Sequence, residues 1–185
     1  MEQQVIMPTD AIPEYCNKPV LVLGCGNVLF GDDGFGPAVI ERIQSRKDIP
    51  KDAYFINAGS SVREILFDLI LSEKKPKRVI IVDAMECGAD AGSVVELNIE
   101  EIPQKKIDDF SMHQLPTSNL LKEMRDFCGV EVNLVVLQPA NIPEEVEYGL
   151  SEKALGAIEK AVDIVMKMCV IEESSVQTAI TDKEQ

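Results

Sequence analysis

The chain has 185 residues, of which 45% are apolar and 27% charged, the make-up of one globular domain that buries roughly 70% of its unfolded surface without help from disulfides or a structural metal. Lys and Arg number 18 against 32 Asp and Glu, a formal net charge of −14. That balance excludes nucleic acid and anionic membrane as main partners, because both are held through cationic side chains on phosphates; metal ions, small molecules or another protein remain. The cysteines, Cys16, Cys25, Cys87, Cys128 and Cys169, are odd in number and form no CxxC pair. No signal peptide opens the chain and no apolar run is long enough to span a membrane, so a reduced, cytoplasmic protein is expected.

Met1–Pro19 holds three prolines among mixed polar residues and reads as an extension ahead of a single domain over 20–170. Val20–Leu23 is a continuous apolar run, the pattern of a strand buried on both faces. A glycine-rich loop from Gly24 to Gly36 follows it. Phe35, Val39, Ile40 and Ile43 then mark one face of a helix, with Pro37 near its start. Asp52–Asn57 predicts a second strand, and Val62, Ile65, Leu66, Leu69 and Ile70 an amphipathic helix. Arg78–Ala84 is a third buried strand and Val94–Ile99 a shorter alternating one. Glu100–Pro116 is a long irregular connection, of the kind that often carries function. Thr117 or Ser118 opens a helix to about Cys128, with Gly129 just past its end, and Val130–Leu137 is the fifth strand. Ser151 opens the last helix, with a predicted buried stripe of Leu155, Ile158, Val162, Val165, Met166 and Cys169. A polar tail occupies 171–185. Strands alternating with amphipathic helices predict a three-layer α/β/α sandwich, with a mostly parallel, roughly five-stranded sheet covered on both faces.

In such folds ligands sit outside the carboxyl ends of the strands. Gly24-x-Gly26 meets two positions of a dinucleotide fingerprint, but Leu29 stands at the third and Asn57 where a ribose-binding acid belongs. No GxxxxGK[ST] is present, and Asp32 and Asp33 would repel phosphate. The single histidine, His113, has no GxSxG partner, and Ser60, Ser61 and Cys87 lie in no supporting pattern. A receiver domain is also excluded: its acids follow the first strand directly and a lysine ends its fifth, whereas here a glycine loop intervenes and the last strand ends Leu137-Gln138-Pro139. Asp33, Asp83 and His113 all fall on loops or strand ends expected on one rim. Two carboxylates and an imidazole make a site with open positions suited to Zn, Ni, Fe or Mn; without a cation the carboxylates would repel and one pKa would rise.

Gly24-Cys25-Gly26-Asn27 with Gly31-Asp32-Asp33-Gly34-Phe35-Gly36, then Val82-Asp83-Ala84, then His113-Gln114-Leu115, resemble in order and spacing the three signatures of the nickel–iron hydrogenase maturation endopeptidases. The resemblance runs from about Val20 to Cys169. Asn57-Ala58-Gly59, Asp83-Ala84-Met85-Glu86-Cys87-Gly88 and Phe110-Ser111-Met112-His113-Gln114 are most similar to the branch serving the deazaflavin-coenzyme-reducing hydrogenase of methanogenic archaea. The resemblance implies an endopeptidase, of a kind sometimes classed as aspartic-type. It would remove a short C-terminal extension from the hydrogenase large-subunit precursor once nickel is inserted. Asp33, Asp83 and His113 would be its catalytic and metal-contacting residues. The nickel would come with the precursor, with no organic cofactor, and the enzyme would act as a monomer. Several members have glutamate where Asp33 stands, a side chain about 1.3 Å longer in reach, and many have aspartate where this chain has Asn57. Those two departures leave a non-catalytic nickel-binding maturation chaperone as the alternative.

Overall fold

The structure, a computed structural model, describes residues 12–99 and 117–171. Its elements are β1 (Val20–Cys25), α1 (Phe35–Gln44), β2 (Ala53–Gly59), α2 (Val62–Leu71), β3 (Arg78–Ala84), β4 (Val94–Asn98), α3 (Thr117–Cys128), β5 (Glu131–Leu137) and α4 (Glu152–Met168). The five strands form one sheet in the order β2-β1-β3-β5-β4, parallel except for β4, which runs against β5 at the edge. The central strands are apolar at every position from Val20 to Leu23 and from Val79 to Val82 because helices cover both faces. One core packs α2 and α3 on the sheet through Leu21, Leu23, Leu66, Leu69, Leu121 and Met124. The opposite core packs α1 and α4 through Val22, Phe35, Ile40, Ile80, Val162 and Val165. The expected three-layer sandwich is the one observed. The β4 pattern, Val94 buried and then half-buried and exposed positions by turns, fits an edge strand with one face toward solvent.

Two local departures from expectation have physical reasons. In α4 the buried positions are Ala154, Ala157, Ala161, Val162 and Val165, while Leu155, expected in the stripe, is 55% exposed. The alanines let this helix lie close to the sheet and turn the leucine outward. The first strand continues through Gly24 and Cys25, past the glycine that looked like its end. A Cβ at Gly24 would stand 2.5 Å from the Gly36 carbonyl oxygen, so glycine there marks a close helix–strand approach. Ahead of β1, Cys16 is 2% exposed within the first core, and the Tyr15 hydroxyl donates to Asp68 Oδ2 at 3.0 Å.

Gly36 sets how deeply α1 sits over the carboxyl ends of β1 and β3. A Cβ there would lie 2.3 Å from the carbonyl oxygens of both Cys25 and Val82, backbone atoms that cannot turn aside. Gly36→Ala is therefore expected to destabilise the protein by about 3 kcal/mol, a fall of roughly 6–12 °C in melting temperature. Thermal denaturation followed by circular dichroism checks this; an unchanged melt would show that α1 moves aside freely.

Candidate active site

The site is built where β1 and β3 end. After Cys25 the chain turns at Gly26, whose φ of 112° lies in the region glycine favours and whose Cβ position falls 1.9 Å from the Asp33 carbonyl oxygen and 3.4 Å from Asp83 Oδ1. A glycine is required there, and its bareness lets the loop carrying Asp33 come down beside Asp83. Gly31–Gly34 forms a single 3-10 turn that leads into α1. Asp33 is half-buried, and its Oδ2 accepts the Asn27 backbone N–H at 2.7 Å. Asp83 is the penultimate residue of β3, buried, with Oδ1 accepting the Ala84 N–H at 2.8 Å.

Asp83 senses both its burial and the charge of Asp33. Burial, followed by the charge of Asp33, pushes the Asp83 pKa from 3.8 up to about 8, against the pull of the Ala84 N–H. Burial also raises Asp33, and the Asn27 N–H opposes it. Asp83 therefore retains its proton up to about pH 8, chiefly because it is buried and further because of the charge beside it. The thiol of Cys25, fully buried beneath them, is raised by burial and by both aspartates, which keeps it an unreactive thiol.

Asp33 and Asp83 thus meet at the rim as the strand order requires. His113 lies outside the described residues, and among the described residues no three metal-ligating side chains gather. Asn57 is exposed and borders a cavity of about 210 Å³ beside the 3-10 turn.

Two further residues organise this rim, and sequence reasoning gave neither a role. Asp32 is 1% exposed and accepts four hydrogen bonds: Ser151 N to Oδ1 at 2.8 Å, and Ala140 N, Asn141 N and Ser151 Oγ to Oδ2 at 2.8, 3.3 and 3.0 Å. It ties the turn bearing Asp33 to the β5–α4 loop and to the residue that caps α4. Gln138, also buried, accepts from the backbone N–H groups of Cys87 and Gly88 at 2.9 Å and donates to Glu86 Oε2 at 2.8 Å, fastening the loop that leaves Asp83. Neither has a local signature, since the partners of Asp32 lie 108 to 119 residues away.

The family model for hydrogenase maturation protease matches residues 37–168. The chain is 32% identical over 164 residues to the coenzyme F420 hydrogenase subunit delta of Methanothermobacter thermautotrophicus, covering 86% of this chain and 96% of that one. It is 30% identical over 161 residues to the hydrogenase 2 maturation protease of Escherichia coli, covering 85% and 93%. Among solved structures it resembles the hydrogenase maturating endopeptidase HybD of Escherichia coli, with a TM-score of 0.66 and 27% identity over 80% of this chain and 90% of that one. Fold, signature order and relatives agree: this chain belongs to the hydrogenase maturation protease family, and it is an endopeptidase of that family.

Proposed function

We propose that this endopeptidase removes a short C-terminal extension from the nickel-loaded large-subunit precursor of a nickel–iron hydrogenase, acting as a monomer in the cytoplasm. The deazaflavin-reducing hydrogenase is the proposed target, supported by the relative named for coenzyme F420, itself a deazaflavin. Asp33, Asp83 and His113 would be the catalytic residues, contacting nickel already held by the precursor.

The observation that carries this reading is the juxtaposition of half-buried Asp33 and buried Asp83 where β1 and β3 end. Burial, and then the charge of Asp33, disfavour the ionised form of Asp83, so the two carboxyl groups form a seat whose cost a divalent cation would relieve. A precursor without nickel brings no such charge and gains nothing there. With nickel in place, shared contacts hold the bond to be cut against the site, a gain of proximity and orientation, and the cation can polarise the peptide carbonyl. The loops fastened by Asp32 and Gln138 keep the two carboxyl groups in position while the precursor docks.

Mass spectrometry of the precursor incubated with this protein, with and without prior nickel loading, tests the reading. Loss of a short C-terminal peptide from the nickel-loaded sample alone is the expected result. Cleavage regardless of nickel would overturn the shared-contact mechanism, and no cleavage of a matched precursor would overturn the assigned substrate. In the same assay His113→Ala is expected to lower processing about 100-fold or more, on the scale of losing one positioned catalytic group. Full processing by that variant would remove His113 from the site.

A further inference from the structure

The cavity beside the 3-10 turn lies outside the machinery assigned above. It occupies about 210 Å³ and is lined in part by Val28, Gly31, Ala38, Glu41, Asn57 and Leu150. That is smaller than a site enclosing a whole small-molecule ligand, and it suits one or two side chains of an extended peptide. Gly31 and Gly34, both in its lining, belong to the turn that carries Asp33, so the groove runs beside the turn that supplies one of the two carboxyl groups.

The β5–α4 loop supplies Gly149 and Leu150 to the lining and forms the lip, and along it Ile142, Val146 and Tyr148 are 44%, 56% and 76% exposed. Val28, on the facing wall, is 53% exposed. This loop is firmly held although its side chains face solvent. Gly31 N donates to the Glu147 carbonyl at 2.8 Å, Glu147 N to the Leu29 carbonyl at 2.9 Å and Asp32 N to the Asn141 carbonyl at 3.2 Å, beside the bonds to the Asp32 carboxylate. A rigid backbone that presents apolar side chains outward is pre-organised for contact, and binding there orders little.

The walls carry charge of one sign. Residues 27–41 and 138–152 contain no Lys or Arg, while Glu41 lines the groove and Glu144, Glu145 and Glu147 belong to the loop that forms the lip. Among the described residues none of these four meets a cationic side chain. We infer that this groove and lip dock the extended segment of the precursor adjoining the bond to be cut, seating an apolar side chain against Val28 and Leu150 and a Lys or Arg against Glu41. The inference rests on the proposed precursor as substrate and adds the class of sequence it must carry.

Binding tests this separately from cleavage. A fluorescein-labelled peptide spanning the cleaved bond of the precursor is titrated by anisotropy into the full-length protein and into its Glu41→Lys and Ala38→Trp variants, each first shown to melt like the parent. Both variants are expected to weaken binding about tenfold, the scale of one lost interfacial contact. A peptide with its Lys and Arg residues changed to Glu is expected to bind the parent weakly and Glu41→Lys better. Equal binding of the native peptide by parent and both variants would overturn the inference, as would a charge-reversed peptide that binds the parent undiminished. Absence of cleavage by the parent, with binding still sensitive to Glu41, would instead overturn the proposed reaction and leave the docking groove standing.

Discussion

Asp83→Asn is expected to abolish processing while making the free protein more stable at alkaline pH. The side chain is buried, and its burial together with the neighbouring Asp33 charge holds its pKa at about 8. In the unfolded chain an aspartate ionises near pH 4. Its contribution is therefore undiminished below about pH 4 and is lost progressively as pH rises to about 8, because the unfolded state releases a proton that the folded state must keep. Asparagine cannot ionise, and its carbonyl oxygen can still accept the Ala84 N–H that Asp83 Oδ1 accepts at 2.8 Å. The variant should match the parent at pH 4, exceed it at pH 7 and exceed it most at pH 9. A gain on the order of 5 kcal/mol, or roughly 10–20 °C, is expected at the top of that range. Processing of the nickel-loaded precursor should fall about 1000-fold, on the scale of removing a positioned carboxylate from a reacting site. Melting curves at the three pH values, with the cleavage assay alongside, separate the two effects. A stability difference that is flat with pH would refute the retained proton. Full processing by the asparagine variant would refute the role of the charge.

The same residue shows what a sequence can disclose. Asp83 and Asp33 were legible as a pair because each follows a run that must be a buried strand or its loop, and ligands in such sheets gather at the strands' carboxyl ends. The strand Arg78–Ala84 was legible to the residue for the same reason: apolar side chains on both faces admit one assignment. Boundaries at glycine were not, since Gly24 serves a close approach by Gly36 and does not end β1. Leu155 misled because helical spacing ranks a leucine above an alanine, whereas the close packing of α4 reverses that order. The roles of Asp32 and Gln138 exist only once the chain has folded, as both bind backbone donors far away in sequence. His113 lies outside the described residues, so its proposed place at the rim rests on its sequence signature alone.

Asp32→Ala is expected to cost about 2–4 kcal/mol, far more than an exposed acid would, because it removes a buried carboxylate that satisfies four part-buried donors at once. Ala140 N, Asn141 N and Ser151 N all lose an acceptor, and so does the Ser151 hydroxyl. The loss reaches α4 as well. Ser151 Oγ accepts the Ala154 N–H at 3.2 Å as the helix cap, and it is the Asp32 carboxylate that orients this hydroxyl. A negative charge at the start of a helix adds a further favourable term. For a chain of this size the melting temperature should fall by roughly 5–15 °C. Ser151→Ala removes only the cap and one of the four bonds, and should cost about 1 kcal/mol. If Asp32 acts through this serine, the double variant will be more stable than the sum of the single losses predicts, by at least about 0.5 kcal/mol. Asp32→Asn is the sharper probe. With its oxygen in the Oδ2 place it keeps three acceptor contacts, but its amide then faces the Ser151 N–H, donor against donor. It should lie between alanine and the parent in stability. Since the loop it fastens carries the proposed docking lip, it should also weaken peptide binding more than it slows cleavage of bound precursor. A variant that melts like the parent would mean the carboxylate is not needed to hold the turn. A variant that is destabilised yet binds peptide as the parent does would mean that the lip forms without the latch.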